Sequence, residues 1–134
     1  MNSLSRWLTI HRLWQWLLAG YWITLFVATH VPQDFPGVPG GQSDKVAHFA
    51  AYAVLAALFA TTWQLSAGVL TKVHLRWAWI LTAAYGGIDE WTQLFVGREA
   101  SFLDWLADAA GAAAGLAVFA WFTRQRAGPT SNLN

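Results

Sequence analysis

Apolar residues fall in four blocks along the chain, separated by shorter polar stretches. The blocks run from about Leu13 to Thr29, Val46 to Gln64, Arg76 to Val96 and Phe102 to Phe122. Each is close to the ~20 residues a helix needs to cross about 30 Å of hydrocarbon at 1.5 Å per residue. The pattern predicts an all-α polytopic membrane protein, with four transmembrane helices in a small bundle. Arg6 and Arg12 before the first block also fit a signal peptide. That block is long for one, however, and "FVATHVPQDF" at its end holds only a weak small-x-small cleavage site.

The connections punctuate the blocks. "HVPQDFPGVPGGQSD" holds all but one of the four Pro and several Gly, a density that breaks regular structure. "LSAGVLTKVH" is short, and "GREAS" is tight enough to make the last two blocks an antiparallel hairpin. Residues 1–126 thus read as a single domain, and 127–134 as a polar, disordered tail. No internal repeat is visible.

Composition sharpens the membrane reading. Of the residues, 56% are hydrophobic and only 11% charged, with mean hydropathy +0.35. Soluble domains carry about 25% charged residues, so this chain lacks the groups to coat a water-facing surface. Ten Trp fit the interfacial preference of that side chain. A net charge of +1 gives no reason to expect nucleic acid, and the absence of Cys removes disulfides, thiolate metal sites and cysteine nucleophiles.

Charge placement orients the spans. With four crossings, the N-terminus, the second connection and the C-terminus share a side, which receives Arg6, Arg12, Lys72, Arg76, Arg124 and Arg126. The other side receives Lys45, Arg98 and every acidic residue: Asp34, Asp44, Asp89, Glu90, Glu99, Asp104 and Asp108. The excess of Lys and Arg in short loops predicts both termini cytoplasmic in the plasma (inner) membrane. Trp7, Trp14, Trp63, Trp77 and Trp121 then lie near the inner interface, Trp91 and Trp105 towards the outer one.

Polar residues inside the spans share a depth. Glu90 lies about 9 Å below the outer boundary at 1.5 Å per residue, with Asp108 similar and His48 slightly shallower. Asp44, His48 and Tyr52 are spaced i, i+4, i+8 on one helical stripe. Asp104, Asp108 and Gly111 form another stripe, Glu90 and Gln93 a third. Lipid exposure of such groups costs about 2.5–3.5 kcal/mol on insertion scales, so the stripes are expected to face a shared, outward-opening polar pocket. Asp89 is rotated about 100° from Glu90 and is expected to point elsewhere. His11 and His30 carry no signal beyond an interfacial position. Gly111 and Gly115, among Ala109, Ala110 and Ala112–Ala114, mark the last span as a close-packing helix.

"SDKVAHFAAY", "GGIDEWTQLF", "GR" and "SFLDWLADAAGAAAG" resemble the VanZ-like membrane proteins, with motifs in family order and spacing over about residues 30–117. The resemblance implies that Asp44, Lys45, His48, Tyr52, Glu90, Gln93, Arg98, Asp104 and Asp108 are the family's polar positions. The chain departs from the pattern at Trp91, where many members carry His. The family is named for a protein giving low-level teicoplanin resistance, which implies a role at the cell envelope rather than a particular reaction.

Functions of different classes remain open at this level. The favoured one is binding or handling of an anionic envelope lipid or lipid-linked cell-wall precursor of the polyprenyl-phosphate type, with Arg98, Lys45 and His48 on the phosphate. A second is a membrane enzyme acting on such a lipid, with Glu90, Asp108 and His48 as acid/base candidates. No metal site or cofactor is assigned, although a divalent ion held by Asp44, His48, Glu90 and Asp108 is a variant of the enzyme reading. A third is an accessory subunit whose polar network only fixes helix packing, with a membrane-protein partner or a second copy. Bland roles stand beside each residue: Lys45 snorkelling, Arg98 paired with Glu99, His48 bonded to Asp44 or Tyr52, Asp104 in the first turn of its helix.

Overall fold

The computed structural model describes residues 3–32 and 42–126. Four helices account for nearly all of them: α1 (Ser3–Thr29), α2 (Gln42–Ala67), α3 (Lys72–Gln93) and α4 (Phe102–Arg126). A 3₁₀ turn, Leu94–Val96, extends α3, and no strand occurs among the described residues. The Pro-rich segment 33–41 and the tail 127–134 lie outside the described residues.

Every helix is longer than its apolar block, although α3 begins before its block and gives way to a 3₁₀ turn at the predicted end. Hydropathy marks where the side chains change solvent, whereas a helix continues until its backbone hydrogen bonds are diverted. The diversions are visible. Gly68, at φ +80°, stops α2 and donates its N–H to Gln64 O at 2.9 Å. Thr71 then starts α3: its hydroxyl accepts from His74 N, while its own N–H donates to His74 Nδ1.

Contacts fix an up-down-up-down bundle. Tyr21 Oη donates to Ala51 O and His11 meets Ser66, so α1 runs antiparallel to α2. Trp79 Nε1 donates to Ala109 O and Trp105 Nε1 to Ala83 O, both at 2.9 Å, which sets α3 antiparallel to α4. α2 and α4 run parallel and share the most extensive interface. There Gly111 lies against the carbonyl of Phe49 and Gly115 against that of Ala53. Neither position has room for a β-carbon, so glycine is what lets the two backbones meet. Ala56, Ala60, Ala78, Ala112 and Leu116 complete this small-residue core; Leu25, Tyr52 and Leu55 form a second one under α1.

The distribution of polarity is inverted relative to a soluble bundle. Trp16, Ile23, Phe95 and Phe102 are more than 60% exposed, whereas Asp44, His48, Asp89, Glu90, Gln93, Arg98, Asp104 and Asp108 are buried. Two helical stretches, Ser43–Ala67 and Phe102–Arg126, are long and apolar enough to cross a membrane. Helices α1 and α3 are of comparable length, but α3 is less apolar and carries Arg76, Asp89 and Glu90 within it.

Candidate functional site

The buried polar residues gather at one end of the bundle, opposite the N-terminus of α1 and the C-terminus of α4. The stripe of α2 begins there. Asp44, His48 and Tyr52 project from successive turns towards α3 and α4. On α4, Asp104 and Asp108 occupy successive turns of the facing stripe. Lys45 Nζ lies 2.9 Å from Asp104 Oδ1, and His48 Nδ1 donates to Asp108 Oδ1 at 2.9 Å.

From α3, Glu90 enters the same space. Its Oε1 lies 3.9 Å from His48 Nδ1, and its Oε2 accepts from Ser101 N at 2.6 Å. Ser101 in turn caps α4, its hydroxyl accepting from Asp104 N at 3.3 Å. One carboxylate therefore ties the end of α3 to the start of α4. Gly97, at φ +76°, turns the chain in the left-handed conformation that glycine tolerates and sends Arg98 inward. Arg98 Nη2 lies 3.6 Å from Asp44 Oδ2, and Nη1 donates to Val31 O at 3.2 Å. Glu99, the alternative partner, is exposed.

Gly86 keeps the floor of this cluster open to a carboxylate. A β-carbon there would lie 3.0 Å from Asp108 Oδ2 and 3.2 Å from Tyr52 Cε1. Both of those side chains are fully buried. The charges pair off unevenly. Lys45 faces Asp104 and Arg98 faces Asp44, while Glu90 and Asp108 share only His48.

The VanZ/LLP1 family profile matches residues 4–123, a stretch that includes every residue of this cluster. The chain belongs to the VanZ/LLP1 family. No curated protein and no solved structure matches it. The family match and the two apolar helices identify a VanZ-like membrane protein. At Trp91, the position of departure from the family pattern, the side chain is 60% exposed and stacks edge-on with Phe95, away from the cluster.

Of the polar positions carried by the VanZ resemblance, the structure brings together all but Gln93. Its Nε2 donates instead to Asp89 Oδ2 at 3.3 Å. Asp89 does point away from Glu90, but into a second buried network rather than to an indifferent surface. Thr29 Oγ1 donates to Asp89 Oδ1 at 3.1 Å, and His30 bridges Phe26 O and Thr92 Oγ1. His30, read from sequence as merely interfacial, is thus part of the joint between α1 and α3. The signal for this joint was Asp89 itself, an acid as deep in its span as Glu90. Apart from Lys45, whose side chain is 35% exposed, the charged side chains of the main cluster are buried.

Proposed function

We propose that this VanZ/LLP1-family protein crosses the plasma membrane four times, with both termini cytoplasmic, and engages the headgroup of an anionic envelope lipid at the outer end of its bundle. The targets are phosphate-bearing lipids of the polyprenyl-phosphate or lipid-linked cell-wall-precursor type. The glycopeptide-resistance association implied by the family resemblance points to the same compartment. Charge distribution supports the orientation: Arg6, Arg12, Lys72, Arg76, Arg124 and Arg126 belong to the end of the bundle opposite the cluster.

The observation that carries the lipid reading is the pair Lys45 and Arg98, both held in place by carboxylates at the end of the bundle. Arg98 Nε makes no hydrogen bond among the described residues, so the guanidinium retains donor capacity. A phosphate exchanges with Asp104 and Asp44 as the counter-ion of these two cations, and the carboxylates keep them aligned when no lipid is bound.

The chain purified in mild detergent should carry a co-purifying anionic lipid in native mass spectrometry. Lys45→Gln and Arg98→Gln should each lose it while remaining folded. A wild-type protein carrying no anionic lipid, or variants retaining as much as wild type, would sink the reading. The 2.9 Å His48–Asp108 contact favours acid/base chemistry as the second reading, and release of a modified lipid by the purified protein would select it.

A further inference from the structure

We propose that His48, Glu90 and Asp108 form a binding site for a divalent transition-metal ion such as Zn²⁺ or Mn²⁺. One imidazole and two carboxylates, each at least nine-tenths buried, converge from α2, α3 and α4. One donor atom from each lies within 4.8 Å of the others. Ligands about 2.1 Å from a shared ion stand about 3.0–3.6 Å apart at octahedral to trigonal angles. The observed separations from His48 Nδ1, 2.9 Å to Asp108 and 3.9 Å to Glu90, bracket that range.

Two observations point to a ligand rather than to a self-sufficient network. Glu90 Oε1 and Asp108 Oδ2 are buried and receive no hydrogen bond among the described residues. Leaving a buried carboxylate oxygen in that state is costly unless a cation meets it. The second is charge. Asp44 and Asp104 face Arg98 and Lys45, whereas Glu90 and Asp108 face neither. A doubly charged ion balances both acids at once. The neighbouring trio Asp44, His48 and Asp104 is a poorer site for the same reason, since two of its members already hold a Lys or Arg.

The other side of the imidazole is suited to this role. His48 Nε2 lies 3.9 Å from Asp44 Oδ1. When Nδ1 binds the ion, its proton is displaced and the ring hydrogen resides on Nε2, towards Asp44, as in carboxylate–histidine–metal arrangements. A mixed imidazole and carboxylate set suits first-row divalent ions better than Mg²⁺ or Ca²⁺, which prefer oxygen alone.

This site does not depend on the lipid reading. The full chain, carrying a tag without histidine, is purified in detergent, treated with EDTA, desalted and titrated calorimetrically with Zn²⁺ or Mn²⁺ alone. One ion should bind per chain, and thermal unfolding should shift upward with ion concentration. His48→Gln, Glu90→Gln and Asp108→Asn should each weaken binding at least tenfold. Lys45→Gln, which tests the lipid reading, and Glu99→Gln, at an exposed position, should leave it intact. Should a variant fail to fold, Co²⁺ spectra of the wild type still report: ligand-field bands without thiolate charge transfer are expected from nitrogen and oxygen donors. Failure of the wild type to bind any of the three ions stoichiometrically, or equal binding by all three ligand variants, would overturn the assignment.

Discussion

Gly111→Ala adds a single methyl group at the contact between α2 and α4. Two effects of opposite sign decide the outcome. Alanine is the better helix former by about 0.8–1.0 kcal/mol, which taken alone makes the variant more stable. The new β-carbon, however, meets the carbonyl of Phe49, with Phe49 C at 2.8 Å and Cα at 2.9 Å. These are backbone atoms in the middle of a helix and cannot rotate aside. The helices must separate along their largest shared surface, loosening the packing around Ala56, Ala60 and Ala112. Overpacking typically costs about 1–3 kcal/mol and occasionally more, and a backbone obstacle places this case at the upper end. Net destabilisation should be about 2 kcal/mol, roughly a thirtyfold fall in the ratio of folded to unfolded protein. Gly20→Ala is the matched control, because a β-carbon there meets nothing within 4 Å and only the propensity gain remains. Unfolding in mild detergent, followed by tryptophan fluorescence against denaturant, gives both values. If Gly111→Ala proves as stable as Gly20→Ala, the close approach of α2 and α4 is wrong.

Gly111→Leu and Gly115→Leu should prevent folding outright, whereas Leu116→Ile, in the buried core, should cost less than about 1.5 kcal/mol; this is read by yield and monodispersity in detergent. Asp89→Asn should destabilise by about 1–3 kcal/mol, because an amide NH₂ then faces the donors of Thr29 or Gln93. Unaltered melting of that variant would contradict the second network. Reporter fusions after residue 126 and near residue 70 should read cytoplasmic, and those near residues 38 and 98 external; an external C-terminus refutes the four-span orientation.

The stripes of α2 and α4 were legible because i, i+4 spacing on a helix is almost independent of what surrounds it. Asp44 with His48, and Asp104 with Asp108, emerge on single faces, and equal depth brought the faces together. Gln93 shows where that logic stops. It stands three residues from Glu90 and four from Asp89, and both spacings permit contact. The choice is made by Thr29, sixty residues from Asp89 in sequence, which donates to the Asp89 carboxylate on the side of α1, where Gln93 joins it. Arg98 was similarly underdetermined, since its direction depends on the left-handed turn at Gly97 rather than on neighbouring charges. Span ends were displaced because hydropathy reports the surroundings of side chains, while Gly68 and Thr71 decide where hydrogen bonding is interrupted.

The paired indoles between α3 and α4 restrict how the bundle can move. Trp79 and Trp105 each donate to a carbonyl of the opposite helix, from opposite arms of the helical hairpin and at separate heights. Sliding one helix past the other by a single residue shifts it about 1.5 Å and calls for a 100° rotation to restore the facing surface. Either component alone carries both N–H groups off their acceptors together. The next arrangement presenting similar faces lies a full turn away, about 5.4 Å. The hairpin is therefore indexed like a toothed rack: a small piston movement of α3 against α4 gives up both bonds together, about 1–3 kcal/mol, which disfavours it as a way of exposing the buried charges.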